Sequence, residues 1–250
     1  HTVSTNSIYV NYSDSMDNGM GVAVAMSVTG ASITTDILID TGMGTVNLGT
    51  GADSAVDSMD GSPACFSLNL CGSALNANYV DGDSASGNSI GYKNSMGGIS
   101  FNVTRGMENT DAATGNSPVM SYAASTSIMG ATVKAGVSQI DYKAAGTADV
   151  DPSFVTVGYS LAGLSLGYAM YDGDNGGEET QMGVGTSMMG MDVGVTFATA
   201  DLATDVDYTR ISVGKGMGAA SFGVDYTETD EAGGTDNDSD AWQFTYVVGF

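Results

Sequence analysis

The side chains best suited to chemistry in this chain are carboxylates, and five of them share one unpatterned stretch. Asp53, Asp57, Asp60, Asp81 and Asp83 fall within residues 50–87, where neither a strand nor a helix period can be followed. So long a stretch without regular structure is unusual in a compact domain unless it is functional or disordered. Carboxylates gathered in a narrow passage with low-dielectric walls focus their field and favour cations; spread over a surface they are merely solvated. Both cysteines, Cys65 and Cys71, lie in the same stretch around Phe66, Leu68 and Leu70. Outside the cytoplasm such a pair is expected to form a disulfide closing a small ring, with two free thiols as the alternative. A zinc site would need a second cysteine pair or a nearby histidine, and the stretch has neither.

Other chemistry is thin. The single histidine is His1, no Gly-x-Ser-x-Gly elbow has a histidine partner, and no Walker or Rossmann glycine motif occurs, so no enzyme is expected. The acidic runs 172–179 and 230–240 offer oxygen ligands of the kind that hold Ca²⁺, with Asp172, Asp174 and Glu178 as the nearest set. Neither run has the EF-hand spacing, so solvated loops without a cofactor are the expectation. With 29 Asp+Glu against 6 Lys+Arg and a formal charge of −23, nucleic acid is excluded as a partner and cations are favoured.

Strands must position these groups. Period-2 runs bounded by Gly, Asn and Asp predict strands near 7–13, 20–28, 32–40 and 44–49 before the unpatterned stretch. Eleven more follow it, near 88–94, 98–105, 118–127, 131–141, 153–161, 164–171, 179–188, 191–199, 206–214, 219–228 and 240–250. On 32–40, Asp36 and Asp40 share the polar face. Lys93 goes with Ser89 and Gly91, and Lys134 with Thr132 and Gly136, opposite their apolar neighbours. Arg210 lies where the alternation slips between Tyr208 and Ile211, and its face is left unassigned.

The last run, Ala241 to Phe250, carries Trp242, Phe244, Tyr246, Val248 and Phe250 on one face and Gln243, Thr245 and Gly249 on the other. Ten residues suit one tilted crossing of a bilayer, apolar side to hydrocarbon and polar side to water. Tight turns alternate along the chain with longer polar loops, which is how a transmembrane barrel divides its two rims. The expected fold is therefore an all-β transmembrane antiparallel β-barrel formed by residues 1–250 as a single domain. Fifteen strands are readable, and bacterial single-chain barrels have an even number, so a first strand is expected to precede His1 and make sixteen.

Two segments and the terminal Phe resemble a known family. Gly44-Thr45-Val46-Asn47-Leu48-Gly49 before the long stretch, and Asn88-Ser89-Ile90-Gly91-Tyr92-Lys93-Asn94-Ser95-Met96-Gly97-Gly98 after it, are similar to segments of the trimeric general diffusion porins of Gram-negative bacteria. The resemblance implies that 50–87 is a constriction loop folded into the lumen, with its Asp residues facing the pore. It implies Asp36, Asp40, Lys93 and Lys134 on the pore wall, outer-membrane lipid and lipopolysaccharide around the barrel, and a homotrimer. The chain departs from the family in having no Lys or Arg in strands 7–49 and Gly91 where the motif usually has Arg. The link near 29–31 is short, so trimer contacts would rest on barrel walls. The function so implied is passive diffusion of small hydrophilic solutes, with cations preferred, through the bacterial outer membrane. A substrate-specific channel and a plugged adhesive surface barrel are the rival readings.

Overall fold

A computed structural model describes residues 7–17, 19–29, 32–49, 54–56, 58–64, 89–106, 119–141, 149–174, 177–201, 206–217, 220–231 and 239–248. Four strands precede the long connection: β1 (Ser7–Ser15), β2 (Gly21–Thr29), β3 (Ser32–Asp40) and β4 (Thr45–Gly49). After it come β5 (Ser89–Met96), β6 (Ile99–Gly106), β7 (Val119–Ile128), β8 (Ala131–Ile140), β9 (Ser153–Leu161) and β10 (Leu164–Asp172). The last are β11 (Glu178–Met188), β12 (Met191–Asp201), β13 (Val206–Met217), β14 (Ala220–Glu231) and β15 (Ser239–Val248). The fifteen strands form one sheet in sequence order. No helix is long and apolar enough to cross a membrane, which says nothing about crossing by strands.

Tight turns set the register. Met129 and Gly130, Ala162 and Gly163, and Met189 and Gly190 all have positive φ, as do Gly97 and Gly98. Two consecutive left-handed residues make the type I′ turn, whose twist matches that of the flanking strands. Each such turn fixes the pairing of its hairpin, for example Leu161 with Leu164 and Met188 with Met191.

The strands expected from the alternation are found, with shifts at their ends. β14 runs further than expected, to Glu231, because its ladder with β13 continues through Thr209 with Glu228 and Asp207 with Asp230, and β13 itself runs on to Met217, paired with Ala220 beside the turn. Backbone pairing needs no apolar side chain, so a strand can rise past its apolar zone into water. β11 likewise begins at Glu178, inside the expected acidic loop. β4 starts one residue late, at Thr45; Gly44 before it has a φ of 139°, and a Cβ there would lie 2.6 Å from the Tyr92 hydroxyl.

The faces are inverted relative to a water-soluble sheet. Trp242 (63 % exposed), Phe244 (76 %) and Tyr246 stand on one side of β15 and face away from protein, as do Leu164, Leu166 and Met170 on β10. The opposite face of the strands holds the buried side chains, most of them small or polar: Ser121, Asn102, Thr104, Ser138, Thr156, Ala169, Thr196, Ser212 and Asp225, with Phe154 and Tyr171 the large exceptions. In water each exposed Phe or Leu would forgo about 1.5–3 kcal/mol of burial. Hydrocarbon against the apolar face removes that cost.

The chain falls into two compact units. One comprises His1–Met59, Asp81–Ser125 and Gly136–Asp151, and the other Asp60–Val80, Thr126–Ala135 and Pro152–Phe250.

Candidate functional site

The site is the small and polar face of the sheet together with the described part of the β4–β5 connection. In the first unit, Ser54, Ala55 and Val56 are buried. They form a turn in which the Ser58 amide donates to the Ser54 carbonyl at 3.2 Å and the Met59 amide to Val56 at 2.8 Å. Strand side chains hold this turn: the Ala55 amide donates to Ser121 Oγ at 2.8 Å, and Asn102 Nδ2 donates to Ser58 Oγ at 2.8 Å. Both Ser121 and Asn102 point from the face opposite Phe101 and Tyr122, so the segment lies on the polar side.

In the second unit the attachment is to backbone. The Tyr171 hydroxyl donates to the Asp60 carbonyl at 2.7 Å, and Thr196 Oγ1 donates to the Ala64 carbonyl at 2.8 Å. Between them the chain rests on glycines. A Cβ on Gly167 would lie 2.1 Å from the Pro63 oxygen and 2.3 Å from the Ala64 nitrogen, and one on Gly158 would lie 3.1 Å from Pro63 Cβ. Gly158, Gly167, Gly183 and Thr196 follow one another across β9–β12 in register, and the row continues to Arg210 and Thr227. Three successive positions without a side chain open a smooth track, and the connection occupies it.

Of the acidic residues expected in the connection, Asp60 is described, and its backbone is what the wall holds. Asp53, Asp57, Asp81 and Asp83 lie outside the described residues, as do Cys65 and Cys71. Asp36 stands on the polar side of β3 beside Gly49, with Oδ1 buried. Asp40, at the exposed end of the strand, accepts the Gly42 amide at 2.9 Å and shapes the turn into β4. Lys93 is exposed and shares its row with Thr45 and Asn102; with Thr45 and Met59 it borders a recess of 380 Å³. Lys134 is half-buried and has the parity of the buried Ser138. Asp172 and Glu178 are paired in register, but the Asp172 carboxylate accepts the Asp174 amide at 2.7 Å. Among the described residues no cluster of His, Cys, Asp and Glu could hold a metal.

Two wall residues escape the sequence reading. Arg210 faces the polar side, 8 % exposed; its Nε donates to Thr227 Oγ1 at 3.3 Å and its guanidinium stands 5.3 Å from the centre of the Tyr208 ring. Glu179 is fully buried and accepts a hydrogen bond from Gln181 Nε2. The signal for Glu179 was available, because Glu179, Gln181, Gly183 and Gly185 alternate with Met182 and Val184. It was passed over because Glu179 both closes the acidic run 172–179 and opens the expected strand 179–188.

The geometry now has a counterpart among known proteins. The family model described as Gram-negative porin matches residues 2–247. The chain belongs to the Gram-negative porin family. Among solved structures it is similar to a porin refined at 1.8 Å resolution, with 14 % identity and a TM-score of 0.66, covering 96 % of this chain and 92 % of that one. It is also similar to a triple mutant of the Rhodopseudomonas blastica porin (16 % identity, TM-score 0.59, coverage 96 % and 89 %). A third is outer-membrane expressed OmpT of Vibrio cholerae (13 % identity, TM-score 0.61, coverage 94 % and 86 %). No curated protein matches the chain in sequence. This porin therefore resides in the bacterial outer membrane as a transmembrane antiparallel β-barrel, and it belongs to a family of channel proteins rather than enzymes. In each unit the polar face is the lumen side: in the first it carries Ser121 and Asn102, which hold Ala55 and Ser58, and in the second it carries Tyr171, Thr196 and the glycine track, which hold Asp60–Ala64.

Proposed function

We propose that this porin passes small hydrophilic solutes passively and prefers cations. The observation that carries this reading is the imbalance of charge: 29 Asp+Glu face 6 Lys+Arg. Arg210, one of the few cations of the wall, is nearly buried and engaged by Thr227 and Tyr208. Uncompensated carboxylates raise the local cation concentration in a water-filled passage.

In this reading residues 1–250 form one barrel domain, and 50–87 is the constriction. Asp53, Asp57, Asp60, Asp81 and Asp83 supply its acidic side, with Asp36, Asp40, Lys93 and Lys134 on the wall. A Cys65–Cys71 disulfide stiffens the loop, lipopolysaccharide surrounds the barrel, and the protein works as a homotrimer joined by barrel walls. Support for the trimer is the family resemblance; support for wall contacts is the short link between Thr29 and Ser32.

Planar-bilayer recording under a KCl gradient tests the proposal. The reversal potential should have the sign of a cation-selective pore and should shrink towards 1 M salt, where the Debye length is about 3 Å. Anion preference would overturn it. Saturable block by a single solute would replace general diffusion with a substrate-specific channel.

A further inference from the structure

The lipid side of β13–β15, entirely within the second unit, carries a charge inside its apolar zone. Register lays this outward face out in rows, beginning at the short-turn end with Ala220 and Val248. Next come Lys215, Phe222 and Tyr246, then Val213, Val224 and Phe244, then Ile211, Tyr226 and Trp242. Thr209, Glu228 and Asp240 follow and close the zone. Lys215 therefore stands one row inside the apolar edge, with apolar rows on both sides of it. Its side is fixed by its neighbours: Ser212 is buried on the lumen face, while Ile211 is exposed with the parity of Lys215.

This chain has only 6 Lys+Arg, and Arg210 and Lys134 turn to the polar face. Among the described residues no carboxylate pairs with Lys215. The outward carboxylates of the same strands, Glu228 and Asp240, lie three rows away, about 20 Å along the strands at 3.4 Å per residue. A charge on the lipid-facing wall is destabilising, and more so with depth. A lysine avoids that cost by laying its methylene stem on apolar neighbours and carrying its ammonium to the headgroups. Phe222, its direct partner across the ladder, supplies such a neighbour, and the apolar edge is about 7 Å away along the strand.

We infer that Lys215 anchors the phosphate of an anionic glycerophospholipid in the leaflet at the short-turn rim, which in a bacterial barrel is the periplasmic one. The ammonium donates charge-assisted hydrogen bonds to phosphate oxygens, and the acyl chains lie over Phe222 and Phe244. The head must be net negative, because no carboxylate within reach receives the cationic group of a zwitterionic head. Tyr246, exposed in the same row, has the amphipathic ring that favours this depth.

The test uses the intact porin in detergent, offered phosphatidylglycerol and phosphatidylcholine with identical acyl chains and read by native mass spectrometry. The porin should retain phosphatidylglycerol about fivefold over phosphatidylcholine, the preference that one interfacial cation supplies. Lys215→Met, which takes a charge off the lipid face and keeps the stem, should bring the ratio to about one, and Lys215→Arg should preserve it. Equal ratios in the unaltered chain and Lys215→Met overturn the site. So does a Lys215→Met porin that keeps its lipid ratio but separates into single chains, since the lysine would then serve a contact between copies.

Discussion

The two halves of the inward segment are attached in different ways. Ser54–Met59 is held by side chains, Ser121 and Asn102, that reach out from β7 and β6. Asp60–Ala64 is held by missing side chains: it lies on Gly158 and Gly167 and is pinned at each end by Tyr171 and Thr196. Removing a hydrogen bond costs about 0.5–1.5 kcal/mol, or about 1–3 where it strands a buried group, and leaves the segment room to stay in place. A backbone seat has no such tolerance, because an added methyl must displace main chain.

The comparison can be broken from either side. The largest effect is expected from Gly167→Ala, whose new Cβ would lie 2.1 Å from the Pro63 oxygen. Displacing the segment should cost roughly 1–3 kcal/mol of its anchoring, visible as raised single-channel conductance and faster protease cleavage within 50–87. Gly158→Ala should act in the same direction but less, since its Cβ would meet a side-chain carbon at 3.1 Å. Next come Tyr171→Phe and Thr196→Val, each removing one donor to the segment's carbonyls. About 1 kcal/mol each is expected, read as increased open-channel noise rather than a new conductance level. Ser121→Ala strands the buried Ala55 amide, at about 1–3 kcal/mol of stability, but adds nothing the segment must move around, so it should change the conductance least. If Ser121→Ala equals Gly167→Ala in conductance, the distinction between the two halves fails.

Much of this was legible before any coordinates. Alternation alone located all fifteen strands, because a lumen face of Ser, Thr, Asn and Gly against a lipid face of Ile, Phe and Met leaves a period-2 trace. The last residues of β14 were missed because the chain is polar at every position there: Thr229, Asp230 and Glu231 carry no contrast between faces. Arg210 was missed for a related reason: Tyr208 faces inward with it, and an aromatic on the wet side looks like a slip in phase. The glycine track was present as Gly158, Gly167 and Gly183, but its meaning depends on register between strands. Register is set by turn geometry and is invisible in any one strand.

Every strand of this sheet pairs with its neighbour in sequence, and four of the connections are two-residue turns with both residues left-handed. Except for β4 with β5, which pair across the long connection, partners lie within about thirty residues along the chain, the short-range wiring that lets hairpins form early with little entropy lost to loop closure. A slip of one residue would turn every greasy side chain of a hairpin into the channel and every hydroxyl into lipid. Assembly can thus proofread itself one hairpin at a time, rejecting misaligned ribbons before the wall is finished.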